Sequence, residues 1–199
     1  MIKTLSLYLS ITLIIFTSAI ANAAENESLP ASKGFGLAVD AKGGIRVPAI
    51  DYRKDWVALG TWSVDNDATN EKNEDPEGAK GLHIVYTQPE AVESYRRTGK
   101  FPDGTILIKE LFKTTTEAMT TGTISRAAET EGFFVMVKDS KNRFPDNKLW
   151  GLGWGWAFFK ANDTKKTTTK DHVAECKTCH IPAEKTDWVY IQGYPVLKK

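Results

Sequence analysis

The chain has little cysteine and little histidine, and its charges almost cancel. Of its 199 residues only two are cysteine and three are histidine, and the formal net charge is +1. The two cysteines stand three positions apart, so a framework of disulfide bonds does not hold this fold together. A nearly neutral chain without a basic block offers no attraction for nucleic acid or for an anionic membrane surface.

Long apolar runs are also missing, except at the N-terminus. Lys3 gives a short positive start, an apolar stretch follows over about residues 5–16, and Ala-Asn-Ala at 21–23 fits the small-x-small cleavage pattern. The stretch is shorter than the roughly 20 residues that a membrane-spanning helix prefers. The sequence therefore predicts a signal peptide over residues 1–23, export to the periplasm and no membrane attachment after cleavage. An uncleaved N-terminal anchor is the alternative.

The rest of the chain predicts a single α+β domain, dominated by an antiparallel β-sheet with a few short helices. Residues 24–34 are polar and predicted to be flexible, and residues 35–199 form the predicted domain. Residues 65–80 and the threonine-rich stretch that follows residue 112 are predicted loops. Strands are predicted at FGLAV, GGIRV, DWVALGTWSV, GLHIVYT, DGTILIKELF and EGFFVMVKD. Helices are predicted at TQPEAVESYRRTGK, with a capping box of Thr87 and Glu90 and an end at Gly99, and at DHVAECKTCH.

A run of aromatic residues and glycines, LWGLGWGWAFF, occupies residues 149–159. As one strand it places Trp150, Leu152, Trp154 and Trp156 on one face and the glycines on the other. Glycines allow a second backbone or a flat group to approach closely. Tight packing within the fold is one interpretation, and a wall for a planar cofactor or a subunit contact is the other.

The stretch DGTILIKELF places a lysine on a face that is expected to be covered. In a strand, Leu107, Lys109 and Leu111 share one side, and Ile108 and Glu110 share the other. Both sides are largely apolar. Burial disfavours the ammonium form, so it lowers the pKa of a lysine and frees a nucleophilic amine. The alternative is a lysine whose stem covers apolar surface while its charged end reaches solvent.

The strongest chemical signal is AECKTCHIP, which contains Cys176, Cys179 and His180 as Cys-x-x-Cys-His. This pattern is the attachment site of a c-type haem. On a helix the three positions share one face, so both thiols bond the vinyl groups of one haem while the imidazole binds its iron. A thioredoxin-like redox pair is one alternative, and a structural zinc site that would draw on His83 and His172 is another.

A second iron ligand would distinguish an electron carrier from a protein that handles small molecules. The candidates are His83, His172, Met119 and Met136. His172 stands too close in sequence to His180 to reach the opposite haem face, and the methionines fit a loop and a packed core. An open sixth position is therefore favoured, which indicates small-molecule chemistry or gas binding.

Four segments carry a family resemblance: YRKDWVALGT, YRRTGKFPDGTILIKEL, AECKTCH and TDWVYIQGYPVL. In this order they resemble the cytochrome P-460 family and its relatives, the cytochromes c′-beta, from about Tyr52 to Leu197. The resemblance implies a β-rich fold, a homodimer and one five-coordinate c-type haem. In the P-460 branch a lysine is covalently joined to the haem edge, and Lys109 matches that lysine.

The two branches of the family imply different functions. The P-460 branch oxidises hydroxylamine, with nitric oxide as a related substrate or product, and passes electrons to a redox partner protein. A pocket carboxylate helps to move protons there, and Asp171 is the candidate in this chain, with a helix N-cap as its alternative role. The c′-beta branch binds nitric oxide or carbon monoxide in an apolar pocket. Candidates for such a pocket are Phe101, Phe133 and Phe134.

Overall fold

The computed structural model describes residues 31–65 and 78–198. One antiparallel β-sheet of six strands is its main element, which confirms the predicted α+β fold. In chain order the strands are β1 (Val57–Asp65), β2 (Ala79–Thr87), β3 (Ile106–Met119), β4 (Gly122–Lys138), β5 (Trp150–Gly151) and β6 (Trp154–Lys160). They lie in the sheet in the order β1-β2-β3-β4-β6-β5.

Short helices surround this sheet. They are α1 (Ala31–Ala38), α2 (Tyr52–Asp55), α3 (Pro89–Thr98) and α4 (Thr178–His180). A π-helical turn (Val173–Lys177) precedes α4 and a 3-10 helix (Ile181–Thr186) follows it, and the three together form the C-terminal helical segment. A last 3-10 turn covers Pro195–Leu197. Within the described ranges, no helix is long and apolar enough to cross a membrane.

The N-terminal region differs from the prediction where it is described. The predicted signal peptide (residues 1–23) lies outside the described residues, and so do residues 24–30 of the predicted flexible segment. FGLAV, predicted as a strand, is helical up to the end of α1, so that prediction is wrong. Phe35 explains the difference, because its ring stacks on Trp150 with 5.9 Å between centroids and anchors the helix on the sheet.

The hairpin of β3 and β4 is longer than predicted. The threonine-rich stretch after Phe112 continues β3, and Thr114, Thr115 and Thr116 pair with residues 125–127 of β4. Threonine is branched at Cβ and favours strands. The prediction of a loop at this place is therefore wrong, and Met119 lies at the exposed end of the strand.

Both faces of the sheet are covered by apolar side chains. The first core contains Ile106 and Ile108 of β3, and its other strand residues are Tyr86, Phe133, Val135, Val137, Trp150, Ala157 and Phe159. The second core contains Leu107 of β3, and its other strand residues are Leu59, Val85, Trp154 and Trp156, packed against α3 and residues near the C-terminus. Successive residues of β3 thus alternate between the two cores, as the pleat of a strand requires.

Lys109 and Glu110 are adjacent in sequence but face different cores. Lys109 lies on the side of Leu107, between Val85 of β2 and Phe134 of β4 in the sheet. Glu110 is completely buried on the opposite side. The prediction that Leu107 and Lys109 share a covered face is confirmed.

Helix α3 confirms a predicted helix but not its predicted start. The helix ends as expected before Gly99, which adopts a left-handed backbone with φ +73°. Its N-cap is Gln88, however, and no side chain caps it. The Oγ1 of Thr87 donates instead to a backbone carbonyl of β3 at 2.8 Å, because Thr87 is the buried last residue of β2. The predicted capping box of Thr87 and Glu90 is therefore wrong.

The run of tryptophans and glycines forms a hairpin instead of one strand. Leu152 and Gly153 have φ of +62° and +78°, so the chain turns between β5 and β6. Trp150 consequently lies in the first core and Trp154 in the second, and their predicted common face is wrong. A Cβ on Gly155 would lie 2.7 Å from the Trp150 ring. Tight packing within the fold accounts for this glycine.

Replacing Glu110 by alanine is expected to destabilise the fold. Arg53 donates to the carboxylate from Nε at 2.9 Å, and the hydroxyls of Tyr52 and Thr130 donate to it at 3.2 and 3.1 Å. Removing the acceptor leaves these donors without their partner, which lowers the free energy of unfolding by about 2–3 kcal/mol. Urea denaturation measures the loss.

Glu117→Ala is the matched control on the same strand. Its carboxylate also pairs with an arginine, Arg126, at 2.6 Å, but both side chains are exposed. An exposed pair contributes less than about 1 kcal/mol. Equal losses in the two variants would contradict the structural role given to Glu110.

Candidate functional site

The C-terminal helical segment carries all three residues of the Cys-x-x-Cys-His motif. Cys176 and Cys179 are free thiols. Cys179 is exposed, whereas Cys176 packs against the second core, and burial raises the pKa of the Cys176 thiol to about 11. The predicted helix at this motif is confirmed, with a π-helical turn at Cys176, a feature that is frequent at functional sites.

His180 is oriented by one hydrogen bond and one aromatic contact. Its Nδ1 lies 2.7 Å from the backbone carbonyl oxygen of Trp188. A carbonyl only accepts, so Nδ1 carries the proton and Nε2 has the free lone pair. The ring packs edge-on against Trp156 with 4.8 Å between centroids. Burial lowers the pKa of His180, which keeps the imidazole in the neutral form that binds metals.

Lys109 reaches the same side of the sheet as His180. Its charge contributes to lowering the pKa of both His180 and His83. His83 is its diagonal neighbour on the adjacent strand, since His83 pairs with Leu111 and Val85 pairs with Lys109. The Nζ of Lys109 lies 5.5 Å from the ring centre of Phe134. Burial lowers the pKa of Lys109 itself. Among residues 31–65 and 78–198, the ion pairs do not include this lysine.

His83 lies on the second-core face of β2 and stacks on Trp62, with 5.9 Å between ring centroids. The residue is only 7% exposed. Burial, helped by the nearby charge of Lys109, lowers the pKa of His83 to about 4. At neutral pH His83 is therefore an uncharged base beside Lys109.

Asp171 stands at the start of the C-terminal helical segment. Its Oδ1 accepts a hydrogen bond from the backbone N–H of Val173 at 2.9 Å, and its Oδ2 lies 3.6 Å from Nζ of Lys148. The bond from Val173 lowers the pKa of Asp171. The carboxylate is thus ionised and serves as a cap, the alternative role that the sequence suggested. Its part in proton transfer stays a prediction.

The other candidates for an iron ligand are distributed over the fold. His172 has its Nδ1 2.9 Å from the carbonyl oxygen of Lys148. Met119 is exposed at the end of the β3–β4 hairpin. Met136 packs against the second core and pairs with Trp156 across the sheet. Met136 and His83 share the face of Lys109, and the ring of His172 lies over Gly151 of β5.

The three candidate phenylalanines do not form one pocket. Phe133 belongs to the first core, on the opposite face of the sheet from Lys109. Phe101 is buried in the second core against Tyr95. Phe134 alone lies beside Lys109, is 39% exposed and packs on Phe158 with 4.6 Å between ring centres.

Sequence reasoning missed the residues that hold His180 in place. Trp188 offers its backbone carbonyl, which no side-chain pattern marks, and Asp187 precedes it with a buried carboxylate. Both have a left-handed backbone, with φ of +67° and +60°. The only signal was the segment TDWVYIQGYPVL, which follows the motif and contributed to the resemblance.

The donor set fits a c-type haem. The two thiols are unpaired, the spacing of Cys176, Cys179 and His180 places them on one helical turn, and the imidazole has Nε2 available. The motif also lies beside a sheet face where Lys109 and a half-exposed aromatic pair add amine and apolar surface. These residues suit a large apolar macrocycle that requires one nitrogen ligand and two thioether bonds.

Comparisons with known proteins agree with the resemblance. A family model described as Cytochrome P460 matches residues 50–191. This range contains β1 to β6, Lys109 and the whole Cys-x-x-Cys-His motif. A search of curated proteins found no match.

His83 is expected to reduce stability as the pH falls. Its folded pKa is about 4 against an ordinary value of 6.5, so the unfolded chain binds this proton first. The contribution is complete above pH 6.5 and is lost as the pH falls toward 4. At about pH 5 the loss is about 2 kcal/mol of the free energy of unfolding.

His83→Phe keeps a ring on Trp62 and removes the titration. Its free energy of unfolding, measured with urea at about pH 7.5 and pH 5, should fall by about 2 kcal/mol less than that of the wild type. The same fall in both proteins would show that His83 does not have the lowered pKa.

Proposed function

The chain belongs to the cytochrome P460 family, and from this premise we propose that it is an exported cytochrome that oxidises hydroxylamine with one covalently bound c-type haem. Cys176 and Cys179 attach the haem, and Nε2 of His180 binds the iron. The observation that carries the proposal is that Lys109 and His180 lie on the same covered face of the sheet, where burial lowers the pKa of Lys109. Export to the periplasm and a homodimer belong to the same proposal.

The haem supplies the site for a nitrogen ligand and accepts the electrons of the oxidation. The chain supplies the environment. His180 is neutral and fixed by Trp188, so it donates its lone pair without a competing proton. Electrons leave to a redox partner protein, because one haem stores too few for repeated turnover.

Lys109 provides the amine that is joined to the haem edge. In the holoprotein, this bond would replace one N–H bond of Nζ and one C–H bond of the haem, and the two hydrogens would leave as two protons and two electrons. A two-electron oxidant, such as a peroxide, must therefore take part once. The lowered pKa of Lys109 favours the free amine that this bond requires.

Protons released from hydroxylamine need an acceptor near the site. We propose Asp171 for this role, because its carboxylate is ionised and lies five residues before Cys176, where it caps the segment that would carry the haem. General base assistance of this kind contributes about 10²–10⁴-fold in other enzymes.

A second candidate function is the binding of nitric oxide or carbon monoxide without turnover. The apolar contact between Phe134 and Phe158 favours it, since the two rings present apolar surface next to Lys109. A small uncharged gas is stabilised by such surroundings, whereas a polar substrate with N–H and O–H bonds is not.

Lys109→Ala separates haem attachment from the lysine bond. The haem should stay covalently bound, because the thioether bonds depend on the two cysteines. The absorption spectrum should change from red-shifted and broad to that of an ordinary five-coordinate c-type haem, and hydroxylamine oxidation should stop. Lys113→Ala, at an exposed lysine of the same strand, should leave both unchanged.

His180→Ala should differ from Lys109→Ala, because it removes the iron ligand and so changes the absorption bands that depend on iron ligation. The wild type could instead show the spectrum of an ordinary five-coordinate c-type haem, unchanged in Lys109→Ala. That result would favour gas binding. Loss of covalent haem from Lys109→Ala would contradict the division of roles between the lysine and the cysteines.

A further inference from the structure

The backbone that supports His180 has an unusual conformation. Asp187 and Trp188 follow one another with φ of +60° and +67°. Left-handed backbone costs roughly 1–2 kcal/mol for each residue other than glycine, and it persists where surrounding contacts hold it. The carbonyl of Trp188 is the group that accepts the Nδ1 hydrogen bond of His180 at 2.7 Å.

Asp187 is held at three points. Its Oδ1 accepts from Nζ of Lys138 at 2.7 Å, and its Oδ2 accepts from the backbone N–H of Phe101 at 2.9 Å. Its backbone carbonyl accepts from Nε1 of Trp154 at 3.0 Å. Strand β4, strand β6 and the turn before β3 therefore all fix the residue that precedes Trp188.

The pair of Lys138 and Asp187 is almost fully buried, with side chains 10% and 5% exposed. The ammonium of Lys138 also lies 4.8 Å from the ring centre of Trp154. Burying two charges costs solvation that their attraction often only offsets, so such a pair is a weak explanation of stability. Its value here lies in the geometry that it imposes on residues 187 and 188.

We propose that Lys138 and Asp187 are positioning residues for the iron ligand. Their ion pair holds the Trp188 carbonyl against Nδ1 of His180 and so increases the electron donation from Nε2. A hydrogen bond from the far ring nitrogen raises the basicity of a histidine ligand, and a more basic ligand favours ferric over ferrous iron. This inference rests on the proposed function, since it requires that His180 bind the haem iron.

The test compares the reduction potential and the iron–histidine stretching frequency of four variant holoproteins with those of the wild type. Asp187→Asn keeps a side chain that tolerates left-handed backbone but removes the charge that Lys138 meets. Relative to wild type, its potential should shift upward and its ferrous stretching frequency should shift downward. Lys138→Arg keeps the cation and should retain the wild-type values.

A double variant, Asp187→Asn with Lys138→Met, is needed in case the single variant Asp187→Asn does not fold or does not bind haem. It leaves neither charge buried without a partner, so it avoids the cost that breaking a buried pair brings. It should show the same upward shift of potential. If Asp187→Asn does not bind haem, the reduction potential of the double variant tests the proposal instead.

Glu110→Gln is the control, because it alters an equally buried carboxylate on the opposite face of the sheet. Wild-type values in folded Asp187→Asn and in the double variant would overturn the inference, and so would an equal shift in Glu110→Gln. Failure of the proposed function has a separate sign, which is a wild-type protein without covalently bound haem.

Discussion

The alternation of side chains along β3, in a sheet that is covered on both faces, is the constraint on which this structure depends. It gives Lys109 and Glu110 opposite environments although they are neighbours in the chain. Glu110 meets Arg53 and two hydroxyl groups, whereas Lys109 lies over the ring of Phe134 and shares its face of the sheet with His83. A slip of one residue in register would exchange the two faces. It would place a carboxylate near His180 and remove the acceptor of Arg53.

The candidate functional side chains lie on the face of the sheet that carries the second core. His180 packs on Trp156 of β6, Lys109 approaches from β3, and His83 lies on β2 beside Trp62. These groups come from distant parts of the chain: the sheet order places His83 and Lys109 on adjacent strands, and the contact with Trp156 places His180 on the same face. Burial then acts on each of them in the same direction, because it lowers the pKa of both histidines and of the lysine. The result is one surface with two histidines that stay neutral at neutral pH and a lysine whose charged form is disfavoured by burial.

Sequence reasoning succeeded where the signal is local. The period of two along β3 correctly assigned Lys109 and Glu110 to different faces, and the helical spacing of Cys176, Cys179 and His180 placed the motif on a helix. The sequence-based prediction was wrong where contacts between distant residues determine the secondary structure. Phe35 turns an apparent strand into a helix by stacking on Trp150.

The contacts that orient His180 could not be predicted from the sequence either. The acceptor is a backbone carbonyl, and its position depends on a buried pair between Lys138 and Asp187, 49 residues apart in the chain. Left-handed backbone at an aspartate and a tryptophan is also not a preference of those residue types, since it is imposed by the contacts around them. Local propensity carries no information of this kind.

The central claim is that Lys109 and the Cys-x-x-Cys-His motif serve one haem. The most direct test is peptide mass spectrometry of the protein matured with haem in a periplasm. The account predicts that the peptide containing Lys109 is covalently joined to the haem peptide that contains Cys176 and Cys179. A free Lys109 peptide beside an attached haem would contradict the lysine bond, and the absence of any attached haem would contradict the whole account.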